Sequence, residues 1–532
     1  MFIQLQILRM KKLLLSSLFI IPARLLIVFL LMAGGHYSLF ICSAQSPGDS
    51  LFNSAQIHTI KIFFTQTGWY DSLIAYKPLD KKMLGDVEID GTYIDSVGIQ
   101  FKGNSSFNAP GIKKPWKIDF NEFVSGTKYD GVKTINLNNV VGDPSFMREK
   151  LFDDFCRTVG IEAPRATYTN VYVNNTLWGF YVLVEQVNKT FLTTEYGNDA
   201  GNLFKGDGNG TLQWYGTSPS SYYGKYELKT NETLNDWTDL VHLIDEINNT
   251  PSLNFYDSLE AVLNTSAWIE AWAANNIFVN LDSYIGTGHN YYIYHNAVTD
   301  KFDFIIWDAN EAFGKFSQGM SVAQLESLSM AYIPNPPGPP GRPLTDKMIQ
   351  NTTYYNTYVN TICNYVANYF SNAYLNPKID SLYTIIKPYV YADPNKSFTN
   401  QNFEDNINMN VMGNIPGIKS FITNRRTSLI SQLTSFGCNM GINESTVYGL
   451  QFMVNPNPTS GVFQIQVGNE QLAVGNEYKI EIYNVMGEKV YEKLLSEKEN
   501  IVFLPLGTGQ GIYFYRIIAE NIPVASGKLV VE

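Results

Sequence analysis

The chain has 532 residues, a formal net charge of −11, 45% hydrophobic residues and 16% charged ones. Length and composition suit more than one folded domain, each large enough for a sizeable core. The acidic balance argues against a dedicated nucleic-acid binder, and five histidines without Cys/His metal spacing argue against a zinc scaffold.

The N-terminus is basic at Arg9, Lys11, Lys12 and Arg24, then apolar to Ile41. Cys42-Ser-Ala44 before Gln45 resembles a small-residue cleavage site, so residues 1–44 read as a secretory signal peptide, with Met10 an alternative start. The length of the apolar run leaves an uncleaved membrane anchor as the competing reading. Once the signal is removed, no stable transmembrane domain is expected. Cys156, Cys363 and Cys438 then remain. This odd count does not suggest a disulfide scaffold. A Cys363–Cys438 bridge and buried free thiols stay equal alternatives.

Ile57 to Phe63 is β-like. Asp86 to Phe101 reads as a hairpin turning at Asp90-Gly91. Lys113-Lys-Pro-Trp-Lys-Ile-Asp-Phe120 alternates like a strand, placing Trp116, Ile118 and Phe120 on one face and Lys117 and Asp119 on the other. A helix is expected over Asp143 to Arg157, with Asp143 as N-cap and Pro144 in the first turn. Ala166 to Val187 reads as a second hairpin turning at Asn174-Asn175. Helical periodicity covers Leu234 to Ile247 and Tyr256 to Phe278. Ile333 to Gly341 is proline-rich and reads as a stiff loop or lid. Leu344 to Leu433 is helical again, broken at Asp393-Pro-Asn-Lys396. Short alternating strands mark a separate β-domain from about Val447 to Glu532.

The stretch that organises the chain runs from Asn280 to Gly314. Asn290 and Asp308 flank two aromatic, β-branched runs joined by a polar loop, which reads as a β-hairpin. Antiparallel pairing brings the start of one strand beside the end of the other. Asp282 lies one loop upstream, across Gly286 and Gly288. Three oxygen-bearing side chains therefore converge at one rim. A carboxylate that orients a hydroxyl, with an amide and a carboxylate that hold Mg²⁺, is the arrangement phosphoryl transfer needs. The order also follows a kinase catalytic loop and metal-binding aspartate, without His-Arg-Asp or a contiguous Asp-Phe-Gly.

Taken together, these pieces resemble the CotH kinase family of atypical protein kinases. The markers are Val97 to Ser106, Lys113-Lys-Pro-Trp-Lys117, Met147-Arg-Glu-Lys-Leu151, Trp178 to Gln186, Asp282-Ser-Tyr284, His289-Asn290, Trp307-Asp308, Asp393 to Lys396 and Pro416 to Phe421. The resemblance implies an α+β chain with a divergent bilobal protein-kinase-like fold over residues 45–440, using ATP and Mg²⁺. It implies Asp282 as the catalytic residue, Asn290 and Asp308 as metal ligands, and Lys117 paired with Glu149 at the ATP phosphates. Lys102 and Lys205 are rivals for that lysine. Where many relatives carry Asp-x-Asp, this chain has Asp308-Ala-Asn310, whose neutral Asn310 would weaken a second metal contact.

Residues 441–450 read as a linker. Residues 451–532 resemble the type A C-terminal sorting domain of type IX secretion, a small β-sandwich. The matching residues are Val454-Asn-Pro-Asn-Pro-Thr-Ser-Gly461, Ile480 to Gly487, Gly511 to Tyr515 and Gly527 to Val531. This implies a bacterium of the Bacteroidota type, the type IX machinery as a partner, and delivery through the periplasm and outer membrane to the surface or medium. The expected activity is transfer of the ATP γ-phosphate to Ser/Thr of a surface or secreted protein. The competing readings are a surface binding or adhesion protein on a degenerate kinase fold, and nucleotidyl transfer.

Overall fold

The computed structural model describes residues 45–52, 56–334, 341–438, 452–467, 478–484, 488–495, 499–505, 509–519 and 522–532. The signal-peptide, linker and most of the proline-rich segment expectations lie outside those residues. Secondary structure is mixed α and β, in two compact units, one ending at Phe436 and one beginning at Gly437.

The first unit opens with a closed seven-stranded barrel. Its strands are β1 (His58–Phe63), β2 (Met83–Ile89), β3 (Thr92–Phe101), β4 (Trp116–Asp119), β5 (Thr134–Asn138), β6 (Ala166–Val173) and β7 (Thr176–Glu185). The order is β1-β2-β3-β4-β5-β7-β6, closed by parallel pairing of β1 with β6. Both expected hairpins are present. Ile89 faces Thr92 around Asp90 and Gly91, and Val173 faces Thr176 around Asn174 and Asn175. All four turn residues have positive φ, which suits Asp, Asn and Gly.

Alternation fixes what the barrel faces. Trp116 and Ile118 of β4 point inward with Ile60, Val97, Ile135 and Leu183 and are fully buried. Each such side chain contributes ~1.5–3 kcal/mol on leaving water. Lys117, between them, points outward.

The helix expected from Asp143 starts later, at Arg148–Thr158. Asp143 does not cap it. Phe146 takes φ 63°, which breaks the helical path, and the Asp143 carboxylate instead accepts the backbone N–H groups of Ser145 and Arg148. The Arg148 side chain is fully buried, pairs with Asp143, and donates to Asn406 Oδ1 at 3.0 Å and to the Pro416 carbonyl. The start of this helix is thereby tied to the C-terminal part of the unit. A second tie joins Lys113 to Asp393. Their buried ion pair spans 2.7 Å, and Asp393 also accepts the Phe180 N–H at 3.0 Å.

A second sheet follows, in the order β11-β10-β8-β9: β8 (Leu203–Gly206), β9 (Tyr226–Leu228), β10 (Tyr291–Asn296) and β11 (Lys301–Ile306). Thr265–Ile277 packs against β11, and Thr352–Asn368 packs in turn on Thr265–Ile277 and on Ile418–Leu433, while Asn372–Ala392 reaches β7 of the barrel. Trp272 stacks on Tyr358 with ring centroids 3.6 Å apart. Asn372–Ala392 ends at the expected break, Asp393. Cys156 is free and buried, and Cys363 and Cys438 are both disulfide-bonded.

The second unit has two antiparallel sheets, β12-β13-β16 and β15-β14-β17-β18. These strands are β12 (Phe452–Asn455), β13 (Val462–Val467), β14 (Tyr478–Tyr483), β15 (Lys489–Leu495), β16 (Glu499–Phe503), β17 (Gly511–Ala519) and β18 (Ile522–Val531). Phe463, Ile465 and Val502 of one sheet share a core with Ile480, Ile482, Ile517 and Leu529 of the other. No helix among the described residues is long and apolar enough to cross a membrane.

Candidate phosphoryl-transfer site

A pocket of about 940 Å³ in the first unit is lined from one side by β3–β5 and from the other by β8–β10 and neighbouring loops, including the residues that follow β11. Asp282, Asn290, Asp308 and Lys117 all line it.

The hairpin of β10 and β11 is in the expected register, with Tyr291 opposite Ile306. Asn290 and Asp308 sit just outside the two strands. Both have left-handed backbones, φ 58° and 53°. Such conformations cost free energy in non-glycine residues and gather at functional sites. The Asn290 amide nitrogen donates to the backbone carbonyl of Asp282 at 2.9 Å and to its Oδ2 at 3.1 Å. His289 Nε2 lies 2.7 Å from Asp282 Oδ1. Asp282 is thus oriented by two neighbours.

The loop from Asp282 to Asn290 is rigid for local reasons. A Cβ on Gly286 would lie 1.7 Å from the Leu281 carbonyl oxygen, so only glycine fits. The buried Arg342 guanidinium donates to the carbonyls of Tyr284 and Gly286. Neither Arg342 nor the His289 contact was foreseen from sequence. The sequence shows His289 only as part of a marker, and nothing in the spacing links Arg342 to a loop more than fifty residues upstream.

The expected pairing of Lys117 with Glu149 is corrected. Asn138, the last residue of β5, receives Lys102 Nζ at 3.0 Å and donates to both Glu149 oxygens at 2.8 and 2.9 Å. Register explains the choice. Phe101 pairs with Trp116 and Trp116 with Leu137, so Lys102 and Asn138 lie at the same end of the barrel, where the Glu149 helix begins. Lys117 pairs with Gln100 and Asn136, two residues further along the strands from that end. Lys205, the other rival, lies 2.8 Å from Asp207.

The charges of Lys102, Glu149 and Asp308 act on one another. Burial lowers Lys102 to about 8, against the pull of Asp308 and Glu149. Burial raises Glu149 to about 7, reinforced by Asp308 and opposed by Asn138 and Lys102. Burial also raises Asp308, with Lys102 opposing and Asp282 adding to the rise. Desolvation plus specific charge partners in a cleft is the pattern of a functional site.

The residues present fit a hard cation with oxygen ligands. The Asp308 carboxylate accepts no hydrogen bond from any described residue. The Asn290 nitrogen is already committed to Asp282, which leaves its Oδ1 available. Among the described residues no group of three or more His, Cys, Asp or Glu could hold a metal. Any cation here would therefore take its remaining ligands from water or a phosphate-bearing ligand, as Mg²⁺ commonly does.

The family model described as CotH kinase protein matches residues 99–429, more than half of the chain. The chain belongs to the CotH kinase protein family. The CotH match contains every residue of the cluster. The inner spore coat protein H of Bacillus subtilis (strain 168) is 26% identical over 297 residues, covering 55% of this chain and 77% of that protein. A second family model, the secretion system C-terminal sorting domain, matches residues 453–532. This CotH-family chain is therefore marked for export to the cell surface or medium by the type IX secretion system, with that machinery as its partner. Among solved structures, an alkylpurine DNA glycosylase, AlkC of Pseudomonas fluorescens bound to abasic-site DNA, aligns over 56% of this chain and 87% of its own. The identity is 11% and the TM-score 0.12, too low to inform the fold or function.

Proposed function

We propose that this exported CotH-family protein transfers the γ-phosphate of ATP to a Ser or Thr hydroxyl of a surface or secreted protein, on a divergent bilobal kinase-like arrangement of barrel and helical part. The observation that carries the reading is the joint placement of Asp282, Asn290, Asp308 and Lys102 around one pocket.

Asp282, held by His289 and Asn290, orients the attacking hydroxyl and accepts its proton. Asn290 and Asp308 would hold Mg²⁺ through their side-chain oxygens. When bound, that ion offsets phosphate charge. Lys102, positioned by Asn138 and Glu149, pairs with phosphate oxygens, and Lys117 supplies a second cation in the same pocket. Asn310 lines the pocket where a carboxylate would bind a second cation more strongly.

The test is incubation of the purified chain with ATP labelled at the γ or the α position, with Mg²⁺ and a mixture of exported proteins. Label transferred from the γ position alone is expected. Transfer from the α position would mean nucleotidyl transfer, and transfer from neither would favour a surface binding role.

A further inference from the structure

The wall of the pocket away from Asp308 carries three side chains in one row across the sheet. Gln100 pairs with Lys117 on the neighbouring strand, and Lys117 with Asn136 on the next. Paired strands lie about 4.8 Å apart, so the three groups form a short, evenly spaced line. Gln100 is 8% exposed and Asn136 1% exposed, and both line the pocket.

Their amides are oriented by their nitrogens. Gln100 Nε2 donates to Asp80 at 2.9 Å, and Asn136 Nδ2 donates to Gln186 Oε1 at 3.1 Å. That leaves Gln100 Oε1 and Asn136 Oδ1 buried, with no hydrogen-bond donor among the described residues. Between them the Lys117 ammonium has no hydrogen-bond or ion-pair partner among the described residues. Buried carbonyl oxygens left unmet are costly, so a ligand that donates to them gains accordingly.

The row presents an acceptor, a cation and an acceptor. A phosphate cannot complete it, because phosphate oxygens only accept and would face two carbonyl dipoles. A nucleoside can, since its ribose hydroxyls and base amines donate while its hydroxyl oxygens and ring nitrogens accept. We propose that Gln100, Lys117 and Asn136 form the subsite for the nucleoside end of the triphosphate, with Lys117 binding nucleoside rather than phosphate. This rests on the nucleotide reading above. A polypeptide also offers donors and acceptors, but the recessed position of Asn136 favours a compact group. Lys102 lines the same pocket, and the Lys117 charge helps to lower it.

The experiment compares calorimetric affinity for MgATP and for magnesium tripolyphosphate, which has the phosphates without the nucleoside. It uses the full chain and its Lys117→Met, Gln100→Met and Lys102→Met variants. Lys117→Met is expected to weaken MgATP about tenfold, the scale of one charge-assisted hydrogen bond, and to leave tripolyphosphate within twofold. Gln100→Met should act in the same sense, and Lys102→Met should weaken both ligands. Retained tripolyphosphate binding also shows that the Lys117 and Gln100 variants are folded, and cooperative thermal unfolding shows it for Lys102→Met. Equal losses for both ligands in Lys117→Met would make Lys117 a phosphate residue and overturn the proposal. Unchanged affinity for both would overturn it as well, leaving the row as a wall for something other than nucleotide. If the unsubstituted chain binds tripolyphosphate but gains nothing from the nucleoside, the subsite fails while the phosphate cluster stands. If it binds neither, the nucleotide reading fails and takes the subsite with it.

Discussion

At the scale of single residues, the pocket sets two outcomes. Asp308 is half-buried, raised by burial and without a hydrogen-bond donor among the described residues, so a cation there should matter for ligand binding. MgATP is expected to raise the melting temperature of the chain by mass action, and Asp308→Ala should remove most of that rise in a thermal-shift assay. Lys102 gives a pH signature. Its ordinary value of 10.5 falls to about 8 through burial, and phosphate favours the ammonium form. MgATP affinity should therefore weaken as pH rises above about 8, with proton uptake on binding there, read by calorimetry in buffers of different ionisation enthalpy. Lys102→Arg should abolish that uptake, because a guanidinium stays charged. In the free protein the unfolded chain binds more protons between about 8 and 10.5, so this one group makes stability rise with pH across that window. The sequence made Asp282, Asn290 and Asp308 legible because local order and hairpin register alone bring them together. It left three lysines open. Choosing Lys102 needed the position of Asn138 relative to the Glu149 helix, which is tertiary information.

At the scale of elements, the ties that hold the site lie far from it in sequence. Lys113 and Asp393 are paired where both are almost wholly buried. Asp393→Ala would strand a buried ammonium, and breaking such a pair costs about 3–5 kcal/mol. Chemical denaturation should show a loss of that size. Gly286→Ala should be more specific, because its methyl would collide with the Leu281 carbonyl beside Asp282. Transfer should fall by on the order of 10²-fold, in a labelled-ATP assay on protein that still unfolds cooperatively. Strands and their turns were readable from alternation and from Asp-Gly and Asn-Asn pairs. Helix starts were less so. Asp143-Pro144 has the form of an N-terminus, but its carboxylate is drawn to Arg148, and the helix begins five residues later.

At the scale of the whole molecule, each unit has its own hydrophobic core. Removing residues 447–532 should leave the melting transition of the first unit in place, while the truncated protein accumulates in the periplasm, as fractionation would show. Normal surface delivery without the segment would contradict its role as an address. Composition made the change to a β-rich tail visible. Closure of the seven strands into a barrel was not visible, because the parallel pairing of β1 with β6 joins segments more than a hundred residues apart and leaves no local pattern.

The measurement that bears most directly on the account is the behaviour of Asp282→Asn. The substitution keeps the shape of the side chain and an oxygen for the Asn290 amide, while it removes the charge and turns the oxygen beside His289 into an amide nitrogen. If Asp282 acts on the attacking hydroxyl, phosphoryl transfer should fall by on the order of 10²-fold or more. The MgATP-induced rise in melting temperature should persist, because the Asp308 carboxylate and the Lys102 ammonium are untouched. Unchanged transfer would contradict the assignment of Asp282 as the catalytic residue and the placement of the active site with it.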